Sequence, residues 1–148
     1  MNPFLLPPKP RLSEWKKLRD SLKDLVEIDQ LNAVAKYWAQ APLLNIAYDP
    51  ERLDLYPSPW EMMNANKWCR NSIAVGMDFT LRLSGWETAR LIVKMMRDYD
   101  ISDQKLILEI DGDKLLNYDY GIVSNIPKTK FVILNSWNFS NKNYSQKT

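Results

Sequence analysis

Cys69 is the one cysteine of this chain, and no histidine accompanies it. Acyl transfer by a thiol needs a thiolate, a group that takes and returns a proton, and donors for the developing oxyanion. A helix N-terminus favours the thiolate, and the spacing of apolar residues predicts a helix over 68–83 that Cys69 opens. The proton carrier is missing, since imidazole is the side chain that ordinarily titrates near neutral pH and is also the commonest zinc ligand. No cluster of carboxylates replaces it as a metal site, so neither metal nor cofactor is expected. On these residues alone Cys69 reads better as a small buried hydrophobe at a helix start than as a nucleophile.

The elements around Cys69 are punctuated clearly. Residues 1–12, with four prolines, read as an extended arm, because proline fixes φ and disfavours helix at the residue before it. Ser13 is expected to cap a first helix with Trp15, Leu18, Leu22, Leu25 and Val26 on one stripe, and Asp29 a second with Leu31, Val34, Ala35 and Trp38 inward. Ser58-Pro59-Trp60-Glu61 is a strong start for a third, short helix: serine at the cap, proline at the first helical position, glutamate closing a capping box. Gly85 should end the cysteine helix. From there the apolar period changes to two. Strands are expected at 89–96, at 106–110 and 114–117 around an Asp111-Gly112 turn, and at 130–134. Helices first and a small antiparallel sheet afterwards make an α+β domain over 13–137, with 138–148 a polar, basic tail.

Composition sets bounds on function. Apolar residues are 45% and charged residues 26% of the 148, the balance of one globular domain. A single cysteine excludes an internal disulfide and suits a reducing compartment. No apolar run reaches the roughly 18 residues of a membrane span, and the start of the chain lacks the features of a signal peptide, so no membrane association is expected. Net charge is +2. Residues 120–148 carry four lysines and no acid, but the lysines are scattered, so the tail reads as solvated and a nucleic-acid partner is not expected.

The order of cysteine helix, strand, hairpin and aspartate resembles the core of the transglutaminase-like family, a papain-type cysteine fold. Cys69 opens the helix, Ser84-Gly85 ends it, and Ala89-Arg90-Leu91-Ile92-Val93 is similar to the family's strand that follows. The stretch Lys105–Asp119, with Glu109, Asp111-Gly112 and Asp119, is similar to the second block, in which a histidine, an acidic residue, an aspartate-glycine turn and the triad aspartate follow in order. The resemblance covers residues 59–122. It implies that Asp119 would orient a histidine, and Lys105 stands at or beside the place of that histidine. Lysine is a poor substitute, since its ordinary pKa of about 10.4 keeps it protonated and a nearby Asp119 would raise it further. Asparagine, lysine and tryptophan usage, with Tyr56-Pro57-Ser58-Pro59-Trp60-Glu61, is also similar to small transglutaminase-like proteins of tailed bacteriophages.

These resemblances imply a catalytically inactive domain serving as a structural protein of a virion (connector, neck, tail or baseplate), located in the particle or the infected cytoplasm. The alternative is a residual cysteine-dependent amidase or acyl transferase using Cys69 and Asp119. Partners are expected to be other protein subunits, held through the terminal arms, with no small-molecule substrate. Phe4, Leu5 and Leu6 on the proline-stiffened arm would dock into another subunit, Tyr144 would serve at the other end, and Trp86 and Trp137, beside turns, are candidate partner anchors as well as candidate core. On that view, deleting residues 1–10 leaves the thermal midpoint nearly unchanged.

Overall fold

A computed structural model describes residues 2–45, 48–99, 103–128 and 130–139. Four helices precede a five-stranded antiparallel sheet. The helices are α1 (Pro8–Leu22), α2 (Glu27–Trp38), α3 (Pro59–Ala65) and α4 (Arg70–Leu83). The strands are β1 (Leu91–Asp98), β2 (Asp103–Ile110), β3 (Lys114–Leu116), β4 (Ser124–Asn125) and β5 (Phe131–Trp137), in the order β4-β3-β2-β1-β5. The α+β reading stands, and no helix among the described residues is long and apolar enough to cross a membrane.

The capping box of α3 forms as its sequence requires: Ser58 Oγ accepts from the Glu61 amide at 3.2 Å, and Glu61 returns the bond to the Ser58 amide at 3.1 Å. The hairpin turn falls on Asp111-Gly112, both left-handed, with φ of 55° and 75°. Two helix starts differ from the sequence reading. Helix α1 begins at Pro8 rather than after Ser13. Proline at the first helical position has its φ already set, and the amides of Pro8 and Pro10 would have had no partner inside the first turn. Helix α2 takes Val26 as its cap, leaving Asp29 in the first turn, where its charge complements the helix dipole.

The N-terminal segment is not an extended arm. Residues 3–5 form a 3-10 turn, and Phe4 is fully buried against Tyr37, Trp38 and Trp68, with ring centroids 5.1, 5.4 and 6.0 Å away. Asn66 donates to the Phe4 carbonyl at 2.8 Å, and Arg11 reaches the carbonyls of Met63 and Leu6, both at 2.7 Å. Phe4 is thus core, not a partner contact, and the segment is an internal strap. Leu5 remains exposed and Leu6 half-buried. Trp86, proposed as an anchor, is also inside: its indole donates to Gln30 at 2.7 Å, and the Arg90 guanidinium lies over its ring. Trp137 is half-buried against the main core. Tyr144 lies outside the described residues.

The helical layer locks onto α4 through one hydroxyl. The indoles of Trp15 and Trp38 both donate to Thr80 Oγ1, at 2.9 and 3.0 Å, and Thr80 donates to the Gly76 carbonyl at 2.7 Å. Trp38 lies so close over α4 that a Cβ on Gly76 would stand 2.5 Å from an indole carbon. Because Trp38 is pinned by Thr80, it cannot give way. Gly76→Ala is therefore expected to destabilise by about 1–3 kcal/mol, despite alanine's better helix propensity. A denaturant midpoint equal to or above that of the parent would contradict this packing.

The sheet has two different faces, and the register assigns every strand residue to one. Leu91, Val93, Met95, Leu106, Leu108, Ile110 and Leu116 join Ile73, Met77 and Phe79 of α4 in the main core. Met96, Ile107 and Leu115 form a second cluster on the outer face, under Tyr118, Ile126, Phe131 and Ile133. Residues paired across strands share a face and neighbours along a strand alternate.

Candidate functional site

Cys69 is the N-cap of α4, with its Sγ 3.5 Å from the Ser72 amide and its own amide donating to Ser72 Oγ at 2.9 Å. That is the placement the sequence led one to expect. The thiol is 3% exposed. The segment 48–56 is tied to the first turn of α4: Tyr56 donates to the Tyr48 carbonyl, Asn71 donates to the same carbonyl, and the two tyrosine rings meet tilted, with centroids 5.2 Å apart. Burial pushes the phenols of Tyr48 and Tyr56 above their ordinary range, and negative charge on Cys69 pushes both the same way. Tyr120, also in electrostatic contact with Cys69, is raised by burial and drawn back by Arg70. Sequence reading missed these tyrosines, since the loop carrying two of them has no period that would place it.

The other two predicted positions divide. Asp119 does lie at the same end of the domain, in a small cavity with Arg70, the residue after Cys69. Lys105 lines that cavity too but does not stand where a catalytic base must. It pairs with Met96, on the outer face, whereas Leu106 pairs with Met95 and belongs to the core against α4. Among residues 105 and 106 of β2, the position turned toward the cysteine helix is therefore occupied by leucine. Lys105 instead donates to the Tyr118 carbonyl at 3.0 Å and sits 4.4 Å from the centre of the Tyr118 ring. It forms no ion pair with Asp119. The cause is alternation: an offset of one residue turns a strand side chain to the opposite face.

Asn117 takes over the positioning role at this end. Fully enclosed and left-handed at φ 67°, it donates to the carbonyls of Arg70 at 2.8 Å and Leu106 at 2.9 Å. It thereby ties the first turn of α4 to the strand facing it. Arg70 completes the link from the other side with an ion pair to Asp103 at 3.1 Å. Among the described residues no group of three or more histidine, cysteine, aspartate or glutamate side chains stands close enough to hold a metal ion.

No protein-family profile matches the sequence, and no curated protein matches it. Solved structures do. Legionella pneumophila LapG superposes with a TM-score of 0.72 at 20% sequence identity, over 90% of this chain and 77% of that one. The EGTA-treated form of that protein gives 0.70 at 21% identity over 88% and 74%. The calcium-bound form gives 0.66 at 20% over 84% and 72%. The chain has the transglutaminase-like fold of LapG.

Proposed function

We propose that this chain is a transglutaminase-like domain without acyl-transfer chemistry that acts by binding other proteins. The observation that carries the proposal is Leu106, a buried apolar side chain where β2 faces the cysteine helix, in a chain that holds no histidine. Here the thiol keeps its seat at a helix N-terminus, but the chain has no imidazole to take and return its proton. Exposed apolar side chains support a binding role: Leu43, which bridges to Trp68 just before Cys69, and Leu44, Tyr120 and Ile122 are all more than 40% exposed. We place this domain in a multi-protein assembly, in the setting of a tailed-phage particle that the sequence resemblance suggests.

Two experiments bear on it. Alkylation of Cys69 in the native protein is expected to run about a hundredfold or more slower than in denaturant, because the modified fraction tracks local opening. No Cys69-dependent turnover of a generic amide should appear between pH 6 and 9. Fast native labelling with turnover that Cys69→Ser abolishes would establish the residual amidase instead.

One of the matched LapG structures is calcium-bound, but the donor set described here does not fit that ion, which takes six to eight oxygens and usually several carboxylates. Adding calcium or EGTA is expected to leave the thermal midpoint unchanged within error. A calcium-dependent rise would show that carboxylates of this chain come together as the described ones do not.

A further inference from the structure

At Arg70, the first residue of α4, lies a cavity of about 140 Å³ that is also lined by Lys105, Asn117, Tyr118, Asp119 and Tyr120. At roughly 30 Å³ per liquid water, it has room for about four or five waters or one small polar group with a few carbons. Its charges are unequal. Lys105 is only 8% exposed, and its ammonium, carrying three hydrogens, gives one bond to the Tyr118 carbonyl and forms no ion pair among the described residues. Arg70 gives one nitrogen to Asp103 and keeps the rest of its fork. Asp98, on the same sheet face as Lys105, accepts from the Tyr118 hydroxyl at 3.0 Å and does not line the cavity. Asp119, at the exposed rim, is the one carboxylate that lines it.

We propose that this cavity binds a carboxylate, with Lys105 and Arg70 as its donors. With Arg70 paired to Asp103, the charges of the lining left without an ion pair among the described residues are the Lys105 ammonium and the rim carboxylate of Asp119, a balance that accepts a monoanion more readily than a dianion. A phosphate dianion would set a second negative charge against Asp119. The planar carboxylate also suits the guanidinium fork. The walls are held without a ligand: Asn117 is fixed by its two bonds to Arg70 and Leu106, and the Lys105 ammonium lies over the Tyr118 ring. In a protein-binding domain such a group is supplied by a chain end or by an acidic side chain. This site does not depend on whether Cys69 has any reactivity, so its test is separate from the thiol experiments.

The test uses the full chain and four probes, followed by the backbone amide shifts of residues 117–120. N-acetylalanine presents a terminal carboxylate, N-acetylaspartate amide presents only a side-chain carboxylate, N-acetylalanine amide presents none, and inorganic phosphate is the dianion. Saturable shifts are expected with one or both carboxylates at millimolar concentration, several-fold weaker ones with phosphate, and none with the amide. Arg70→Gln and Lys105→Met should each weaken carboxylate binding by about tenfold or more, the loss of one charge-assisted hydrogen bond. If only N-acetylalanine binds, the natural ligand is a chain end; if both bind, either source serves. Equal shifts with the amide, unchanged affinity in Arg70→Gln, or no saturation up to about 50 mM would overturn the proposal. Because Arg70 is only half-buried, its variant decides the matter even if Lys105→Met fails to fold.

Discussion

Replacing Phe4 by alanine is expected to cost about 3–5 kcal/mol and to lower the thermal midpoint by on the order of 10 °C. The ring is fully buried, in contact with three other aromatic rings, two of them tryptophans that anchor α2 and the approach to Cys69. Trp38 is fixed by Thr80, so the pocket cannot collapse around the gap. Truncation at Pro7 should be worse, since it also removes the Phe4 carbonyl that satisfies Asn66 and the Leu6 carbonyl that satisfies Arg11. Thermal unfolding of Phe4→Ala and of the truncated chain checks both. A midpoint within a degree or two of the parent would mean that the segment is a separate arm after all.

Comparable in size is the effect of breaking the buried ion pair between Asp78 and Arg82, 2.9 Å apart one turn along α4 with both side chains almost fully enclosed. Arg82 spans further, donating to Thr88 at 2.7 Å just before β1. Burial pushes the Asp78 carboxyl up to about 6, against the opposing pull of Arg82. Since the folded state holds that proton more tightly than the unfolded chain, its stabilising share is complete below the ordinary carboxyl value. It is lost as pH rises toward 6 and is constant above. Arg82→Met leaves Asp78 buried without a cation. The expected cost is about 3–5 kcal/mol at pH 8, and clearly less at pH 5, where Asp78 can protonate. The double variant Asp78→Leu, Arg82→Met should regain most of that loss, since an apolar pair of similar volume needs no desolvation. Urea unfolding at the two pH values measures all three quantities, and a pH-independent cost in Arg82→Met would refute the assigned role of Asp78.

Local signals carried the parts of this protein that depend on neighbours in the chain. The box at Ser58 and Glu61, the left-handed turn at Asp111-Gly112, the helix that Cys69 opens, and the change of apolar period from helix to strand are each decided within a few residues. Backbone satisfaction and side-chain alternation act at that range. The absence of histidine was likewise final in the sequence, and with it the loss of the usual base.

What tertiary structure alone decided was which side chain faces which. Proline content made residues 1–12 look extended, but the aromatic pocket formed by Tyr37, Trp38 and Trp68 draws Phe4 inward, and Pro8 then serves to start a helix. Those pocket residues are separated from Phe4 by more than 30 positions, so no local pattern could report them. Lys105 and Leu106 differ by one place in sequence and by a whole sheet face in space. That choice was made by the pairing of β2 with β1 and the burial of one face against α4. A strand's register is a long-range property, fixed by the apolar set that the core accepts, and it kept the lysine off the core face of the sheet and set it in the cavity it shares with Arg70 and Asp119.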